Sequence, residues 1–207
     1  MPHDDASATP ASLSRFAVLV RKTGRTDRAA SVVANPMAFR ERFESAARAS
    51  RDRLGELEQD LAAAFLLAPE AAALDSMSSY EQLLELGRTA LGRTVFDLSV
   101  EDVSTLLTDV FPNEVMLEVD DLAPLLGDLR LFFSFVGRVF DHEPARHAAA
   151  HLGDDALRAL EVAVAQSTRF TKERAILAEG TGAGFDMHTR EGVEAYIAWK
   201  KARVTDD

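Results

Sequence analysis

The chain has 207 residues, of which 47% are hydrophobic and 28% are charged, and this composition is typical of a globular protein with one sizeable core. It contains no cysteine, which excludes disulfides and thiolate metal sites and favours a cytoplasmic location. The net charge is −11 at pH 7, and an acidic surface repels nucleic-acid phosphates. Residues 1–53 are the exception, with ten Lys or Arg against six Asp or Glu.

We predict that residues 1–34 form a flexible or loosely docked basic N-terminal segment. Its apolar centre, FAVLV, is followed by a polar stretch. The candidate contacts to nucleic acid or to an acidic partner are Arg15, Arg21, Lys22, Arg25 and Arg28. The alternative interpretation is a terminus that is docked on the core or frayed.

Residues 35 to about 67 predict one long amphipathic helix. Asn35 and Pro36 are typical of a helix start, and Pro69 ends the pattern. The apolar stripe consists of Phe39, Phe43, Ala47, Leu54, Leu57, Leu61 and Phe65. Such a helix is also a candidate dimer seam, although the stripe has a gap between Ala47 and Leu54.

Residues 35–207 are predicted as one helical domain with a candidate sub-boundary near 93–98. Ser99 and Asp102 resemble a capping box, and residues 114–119 are expected to be an extended connector. The apolar run 122–140 suggests a membrane span, but the charges of Asp128, Arg130 and Arg138 favour a buried helix whose phenylalanines form the middle of the core. The predicted fold is all-α, with seven or eight helices and the long N-terminal helix packed on a compact helical bundle.

Two stretches resemble a helical C-terminal domain of uncharacterised prokaryotic proteins, frequent in actinobacteria and archaea. They are LSVEDVSTLLTDVFPNEVMLEVDDLAPLLGDLRLFFSFVGRVF and STRFTKERAILAEGTGAGFDMHTREGVEAYIAW. The resemblance covers roughly residues 97–200; it implies a fold unit more than an activity and supplies no catalytic residues that can be assigned to this sequence. The glycines at 180 and 182 depart from the helix that the resemblance implies at that place.

Residues 141–155 hold three of the five histidines. His147 and His151 lie one helical turn apart, a spacing that suits zinc. Further ligands would come from His142, Glu143, Asp154 or Asp155. The spacing H-A-A-A-H lacks the glutamate of H-E-x-x-H, so the general base of a metalloprotease is missing. The alternative is a pair of surface histidines on an Ala-rich helix.

Three glycines alternate in AEGTGAGFDMHTREG, residues 178–192. A phosphate-binding G-x-G-x-x-G must follow a strand, whereas this run follows the helical pattern KERAILAE. We therefore predict a corner between two helices. Gly184 is left-handed there, Phe185 folds back as a hydrophobic contact, and Thr189 caps the next helix.

The sequence predicts a non-enzymatic helical module for protein–protein interaction or regulation in a prokaryotic cytoplasm, acting on a protein partner or by self-association. No cofactor and no membrane association are expected. One alternative is a nucleic-acid-associated regulator that uses the basic segment 15–53. The other is a metal-dependent enzyme centred on zinc at His147 and His151.

Overall fold

The computed structural model describes residue 20, residues 24–74 and residues 78–204. All regular structure in these ranges is helical and none of it is strand, so the all-α prediction is confirmed. Residues 115–118 form the expected extended connector.

More helices occur than the seven or eight that were predicted. The α-helices are α1 (Thr26–Ala34), α2 (Pro36–Ala49), α3 (Arg51–Leu66), α4 (Ser78–Ala90), α5 (Val100–Thr105), α6 (Phe111–Glu114), α7 (Val119–Val139), α8 (Glu143–His151), α9 (Asp154–Gln166), α10 (Thr171–Gly182) and α11 (Arg190–Val204). A 3₁₀ turn, Pro69–Ala73, follows α3, and a π-helical turn, Leu106–Val110, joins α5 to α6.

The predicted long helix over residues 35–67 is wrong, because the chain breaks at Ser50 into α2 and α3. Ser50 is extended (φ −157°, ψ 121°), and its hydroxyl accepts a hydrogen bond from the backbone N–H of Arg53 at 3.4 Å. This is an N-cap, and it starts a new helix. The break lies in the gap of the apolar stripe, where no core side chain holds the chain in helical register.

The N-terminal part of the described chain is more ordered than the sequence indicated. Residues 26–34, assigned above to a loosely docked segment, form α1, which packs against α2 and α3. Ala29 and Val32 are each 1% exposed and belong to the core. Arg15, Arg21 and Lys22 lie outside the described residues.

One continuous cluster of buried side chains extends from α1 to α9, and its centre is aromatic. Phe132 of α7 lies with its ring centroid 5.3 Å from that of Phe65 in α3 and 5.4 Å from that of Tyr80 in α4. Ring pairs at these distances add to the stability that comes from burial alone. The prediction that the phenylalanines of α7 form the middle of the core is confirmed.

The core continues through the candidate sub-boundary at residues 93–98. Val95, Phe96 and Leu98 are each less than 5% exposed and belong to the same cluster. The apolar run in α7 lies inside this cluster, and among the described residues no helix is long and apolar enough to cross a membrane.

A π-helical turn replaces α-helical geometry at residues 106–110. The N–H of Phe111 donates to the carbonyl of Leu106, five residues back. Pro112 has no N–H, and in a regular α-helix its ring would clash with the carbonyl of residue 108. The wider turn relieves this clash and keeps Leu106 and Phe111 fully buried.

The helices α10 and α11 form a hairpin that we call the C-terminal hairpin (residues 171–204). Its buried residues Met187 and Tyr196 are not part of the main cluster and make a small core of their own. Arg174 connects the hairpin to the rest of the chain, because its guanidinium donates to the carbonyls of Val164 at 2.9 Å and Ser167 at 3.3 Å.

Candidate functional site

The loop of the C-terminal hairpin begins with a glycine stop at the end of α10. Gly184 has φ +89°, the left-handed region. The N–H of Phe185 donates to the carbonyl of Gly180 at 3.0 Å, and the N–H of Gly184 donates to that of Thr181 at 2.9 Å. These two bonds define a Schellman motif, so the predicted helix stop at Gly184 is confirmed.

The start of α11 is also as predicted. The hydroxyl of Thr189 accepts a hydrogen bond from the N–H of Gly192 at 3.1 Å, which makes it the N-cap. Phe185 packs forward onto α11 and not back onto the preceding helix as expected, with its ring centroid 5.9 Å from that of Tyr196 and 5.6 Å from that of Trp199. The glycine-rich run is therefore a corner between helices.

Two glycines of this run lie in close contacts: Gly180 faces the flexible side chain of Met187, and Gly192 faces the backbone of Asp186. A Cβ atom at Gly180 would lie 2.2 Å from the sulfur of Met187. A Cβ atom at Gly192 would lie 1.8 Å from the carbonyl oxygen of Asp186. The loop thus lies directly on both helices and holds Met187 between them.

An apolar groove opens between the two helices of the hairpin. It is lined by Ile176 of α10, Met187 of the loop and Val193, Tyr196 and Ile197 of α11, and its volume is about 700 Å³. Ile176 is 46% exposed and Ile197 is 44% exposed. Half-exposed aliphatic side chains around one opening are typical of a surface that binds another apolar surface.

One end of this groove is basic and is held by a hydrogen-bond network. Lys200 and Lys201 lie at that end. The Lys200 ammonium donates to Glu179 at 2.5 Å and to the Tyr196 hydroxyl at 2.9 Å, and that hydroxyl donates to Glu179 at 2.9 Å. The hydrogen bond to Glu179 raises the pKa of Lys200, so the ammonium stays charged. The network also fixes the Tyr196 ring that lines the groove.

The two candidate zinc ligands lie on α8 with different partners. The His147 ring is 65% exposed and lies 3.7 Å from the Glu143 carboxylate. The Nε2 atom of His151 is 2.9 Å from the hydroxyl of Ser104. No three His, Cys, Asp or Glu side chains of the described chain are grouped so that they could hold a metal ion. Zinc binding by the pair stays a prediction.

His142 has a structural role that the sequence reasoning missed. It is 4% exposed and is the N-cap of α8, where its Nδ1 atom accepts a hydrogen bond from the N–H of Ala145 at 3.2 Å. Nε2 therefore carries the proton and donates to the carbonyl of Phe96 at 3.1 Å. Burial and the charge of Arg40 lower the pKa of His142. The signal in the sequence was Pro144, which is typical of a first helical turn.

Of the basic candidates in the described residues, Arg25 is an internal anchor. Its guanidinium donates to Asp60 at 2.6 Å and to Gln59 at 2.5 Å, which fastens the start of α1 to α3. The guanidinium of Arg28 lies 3.9 Å from the Asp60 carboxylate, and the Arg28 side chain is 59% exposed. Sequence reasoning missed Asp60 as their partner, because this contact joins residues 35 positions apart.

A scan against protein-family models and searches of curated proteins and of solved structures found no match. The resemblance over residues 97–200 therefore stays a prediction. In the structure α10 continues through Gly180 and Gly182, so these two glycines do not interrupt the helix.

Proposed function

We propose that this protein is a non-enzymatic helical module for protein–protein interaction in a prokaryotic cytoplasm, and that the hairpin groove docks a helical segment of a protein partner. The observation that supports this proposal is the convergence of five apolar side chains on an opening to solvent. The main core, in contrast, has no such opening: every phenylalanine of the main cluster is at most 4% exposed.

The chemistry of the groove favours an apolar helix over a small polar ligand. Ligand pockets orient small molecules with a few placed polar groups. Here the Tyr196 hydroxyl is already bonded to Glu179 and Lys200, and the charges lie at one end. An amphipathic helix needs only apolar side chains at positions i, i+3 or i+4 and i+7 to fill such a groove.

The two half-exposed isoleucines supply a usable driving force. Complete burial of an Ile side chain contributes about 1.5–3 kcal/mol, so burying the exposed half of Ile176 and of Ile197 contributes about 1 kcal/mol each. Together they change the affinity for a partner by about 30-fold or somewhat more. The double variant Ile176→Ser/Ile197→Ser removes most of this contribution.

Site-specific photocrosslinking in the organism that encodes the chain tests the proposal. A benzoylphenylalanine at position 197 should yield a defined protein adduct, and Ile176→Ser in the same chain should reduce it. The control is the same crosslinker at Val162 of α9, which is 55% exposed and lies outside the groove. No adduct at position 197, or equal adducts at both positions, would contradict the docking function.

The nucleic-acid alternative depends on residues 15–53 and has a separate test. Replacing Arg15, Arg21 and Lys22 by Ala keeps every residue of α1 in the chain, whereas deletion through residue 34 would remove the buried Ala29 and Val32. Salt-sensitive duplex binding that weakens in this variant would support the alternative. Absent or unchanged binding would refute it.

A further inference from the structure

We propose that a cavity between α1, α2 and α3 binds a small phosphorylated metabolite, and that three arginines hold its phosphate. Arg28 of α1, Arg42 of α2 and Arg53 of α3 line this cavity, whose volume is about 450 Å³. None of its lining residues belongs to the groove of the C-terminal hairpin, so the site is separate from the docking surface. Arginine suits a phosphate group because its planar guanidinium is permanently charged and presents several donors.

The walls of the cavity are firmly packed, so each arginine projects from a fixed place. The helices α1, α2 and α3 pack against one another. Val32, Phe39 and Leu57 also line the cavity, and they are 1%, 0% and 9% exposed. Pockets for small molecules usually have volumes of about 300–1,000 Å³. This cavity is therefore large enough for a sugar phosphate or a mononucleotide.

Two of the three guanidiniums have no charged partner within the described chain. The Nε atom of Arg42 donates to the carbonyl of Ala38 at 3.4 Å, and its guanidinium carbon lies 5.8 Å from the centroid of the Phe39 ring. Neither Arg42 nor Arg53 forms an ion pair with any residue that the structure describes. Their terminal nitrogens are therefore available to an anion.

Arg53 lies where a cation destabilises its own helix. It belongs to the first turn of α3, at the positive end of the helix dipole. A bound phosphate would reverse the sign of this interaction, because the anion would be attracted by both the guanidinium and the helix end. A residue that violates a local electrostatic rule without a compensating contact is characteristic of a functional site.

The carboxylates of the cavity do not cancel the arginines. Asp60 is already held by Arg25, which lies outside the lining and donates to it at 2.6 Å. Asp27 and Glu56 are exposed at the cavity, and neither pairs with an arginine of the described chain. Free carboxylates accept hydrogen bonds from hydroxyl groups. The cavity thus provides donors for a phosphate and acceptors for the hydroxyls of a sugar.

Calorimetric titration of the full chain tests this assignment. The ligands are ribose 5-phosphate, glucose 6-phosphate and adenosine monophosphate, at about pH 7.5, where a phosphate monoester is mostly a dianion. At least one should bind with a Kd below about 1 mM, and unphosphorylated ribose, glucose and adenosine should not bind. Arg42→Gln/Arg53→Gln should weaken binding about 100-fold, because each charge-assisted contact contributes about tenfold or more.

The matched control is Arg48→Gln/Arg51→Gln. It removes the same charge from exposed arginines of α2 and α3 that do not line the cavity, and it should retain the wild-type affinity. Circular dichroism should show that both double variants keep the wild-type helix content. In the wild-type chain, the Nε–Hε resonances of Arg42 and Arg53 should shift when the phosphorylated ligand is added.

Four results would overturn the inference. They are the absence of saturable binding of every phosphorylated ligand below about 5 mM, an equal loss of affinity in both double variants, equal binding of the unphosphorylated compounds, and arginine resonances that do not shift. Inorganic phosphate that binds as tightly as the best ester would refute the role of the carboxylates. If a DNA duplex binds and the small ligands do not, the arginines serve the nucleic-acid alternative and the metabolite site is refuted.

Discussion

Replacing Gly192 by alanine should destabilise the C-terminal hairpin, although a Gly→Ala substitution normally stabilises a helix. A Cβ atom at position 192 would lie 1.8 Å from the carbonyl oxygen of Asp186 and 2.6 Å from its carbonyl carbon. Real Cβ contacts below 3.0 Å essentially do not occur, so loop and helix must separate by more than 1 Å. The obstacle is backbone, which cannot rotate away as a side chain can.

The expected magnitude follows from two opposing effects. Forcing an extra carbon into a packed contact costs about 1–3 kcal/mol. Replacing Gly by Ala within a helix stabilises the helix by about 1 kcal/mol. The net loss of up to about 2 kcal/mol lowers the ratio of folded to unfolded hairpin by up to about 30-fold.

Urea unfolding with two spectroscopic probes measures this effect locally. Trp199 is the only tryptophan in the sequence, and it packs on Phe185 in the hairpin, so its fluorescence reports that unit. Far-UV circular dichroism reports all helices together. Gly192→Ala should lower the fluorescence midpoint well below the circular dichroism midpoint. The two midpoints should differ less in the wild-type chain.

Gly127→Ala in α7 is the matched control. A Cβ atom there meets nothing within 4 Å, so this substitution should increase the free energy of unfolding by about 0.5–1 kcal/mol. The circular dichroism midpoint should move to a higher urea concentration. If Gly192→Ala also raises stability, the close contact between α11 and Asp186 does not exist and the account of the hairpin corner fails.

Three further predictions concern caps and histidines. Ser50→Ala should lower the free energy of unfolding by about 1 kcal/mol, because α3 loses its N-cap; an unchanged urea midpoint would contradict the break between α2 and α3. The pKa of His142 is lowered from 6.5, so the unfolded chain takes up a proton first and stability should fall as the pH drops from about 7 to 5. Urea midpoints of His142→Gln should show a flatter profile over that window, and an identical profile would refute the assignment. Zinc titration at about pH 7.5 should show saturable binding that disappears in His147→Ala/His151→Ala if the metal prediction holds, and no saturation below about millimolar zinc would end it.

Features that depend on neighbouring residues were predictable from the sequence. The capping box at Ser99 is present, with the Asp102 carboxylate accepting from the Ser99 N–H at 2.9 Å. The Gly184 stop and the Thr189 cap are likewise formed within a few residues. Such motifs satisfy backbone groups locally, so their composition identifies them without knowledge of the fold.

Features that depend on distant contacts were not predictable. The α1 helix owes its place to the burial of Ala29 and Val32 by other helices, because a helix of nine residues is too short to be stable on its own. The break at Ser50 has no capping box, because residue 53, three positions after Ser50, is Arg and not Glu or Gln. The sequence therefore gives only a weak signal for a helix start at this place. The groove forms only because the loop brings Ile176 beside Ile197, which is 21 positions further along the chain.

The π-helical turn at residues 106–110 implies that this part of the chain would tolerate the loss of one residue. A π turn holds one residue more than the α-helical path between the same two anchors, here Leu106 and Phe111. A relative without that residue would keep both anchors in the core with an uninterrupted helix. In any relative that lacks one residue between positions 106 and 111, we therefore expect the proline at position 112 to be absent as well.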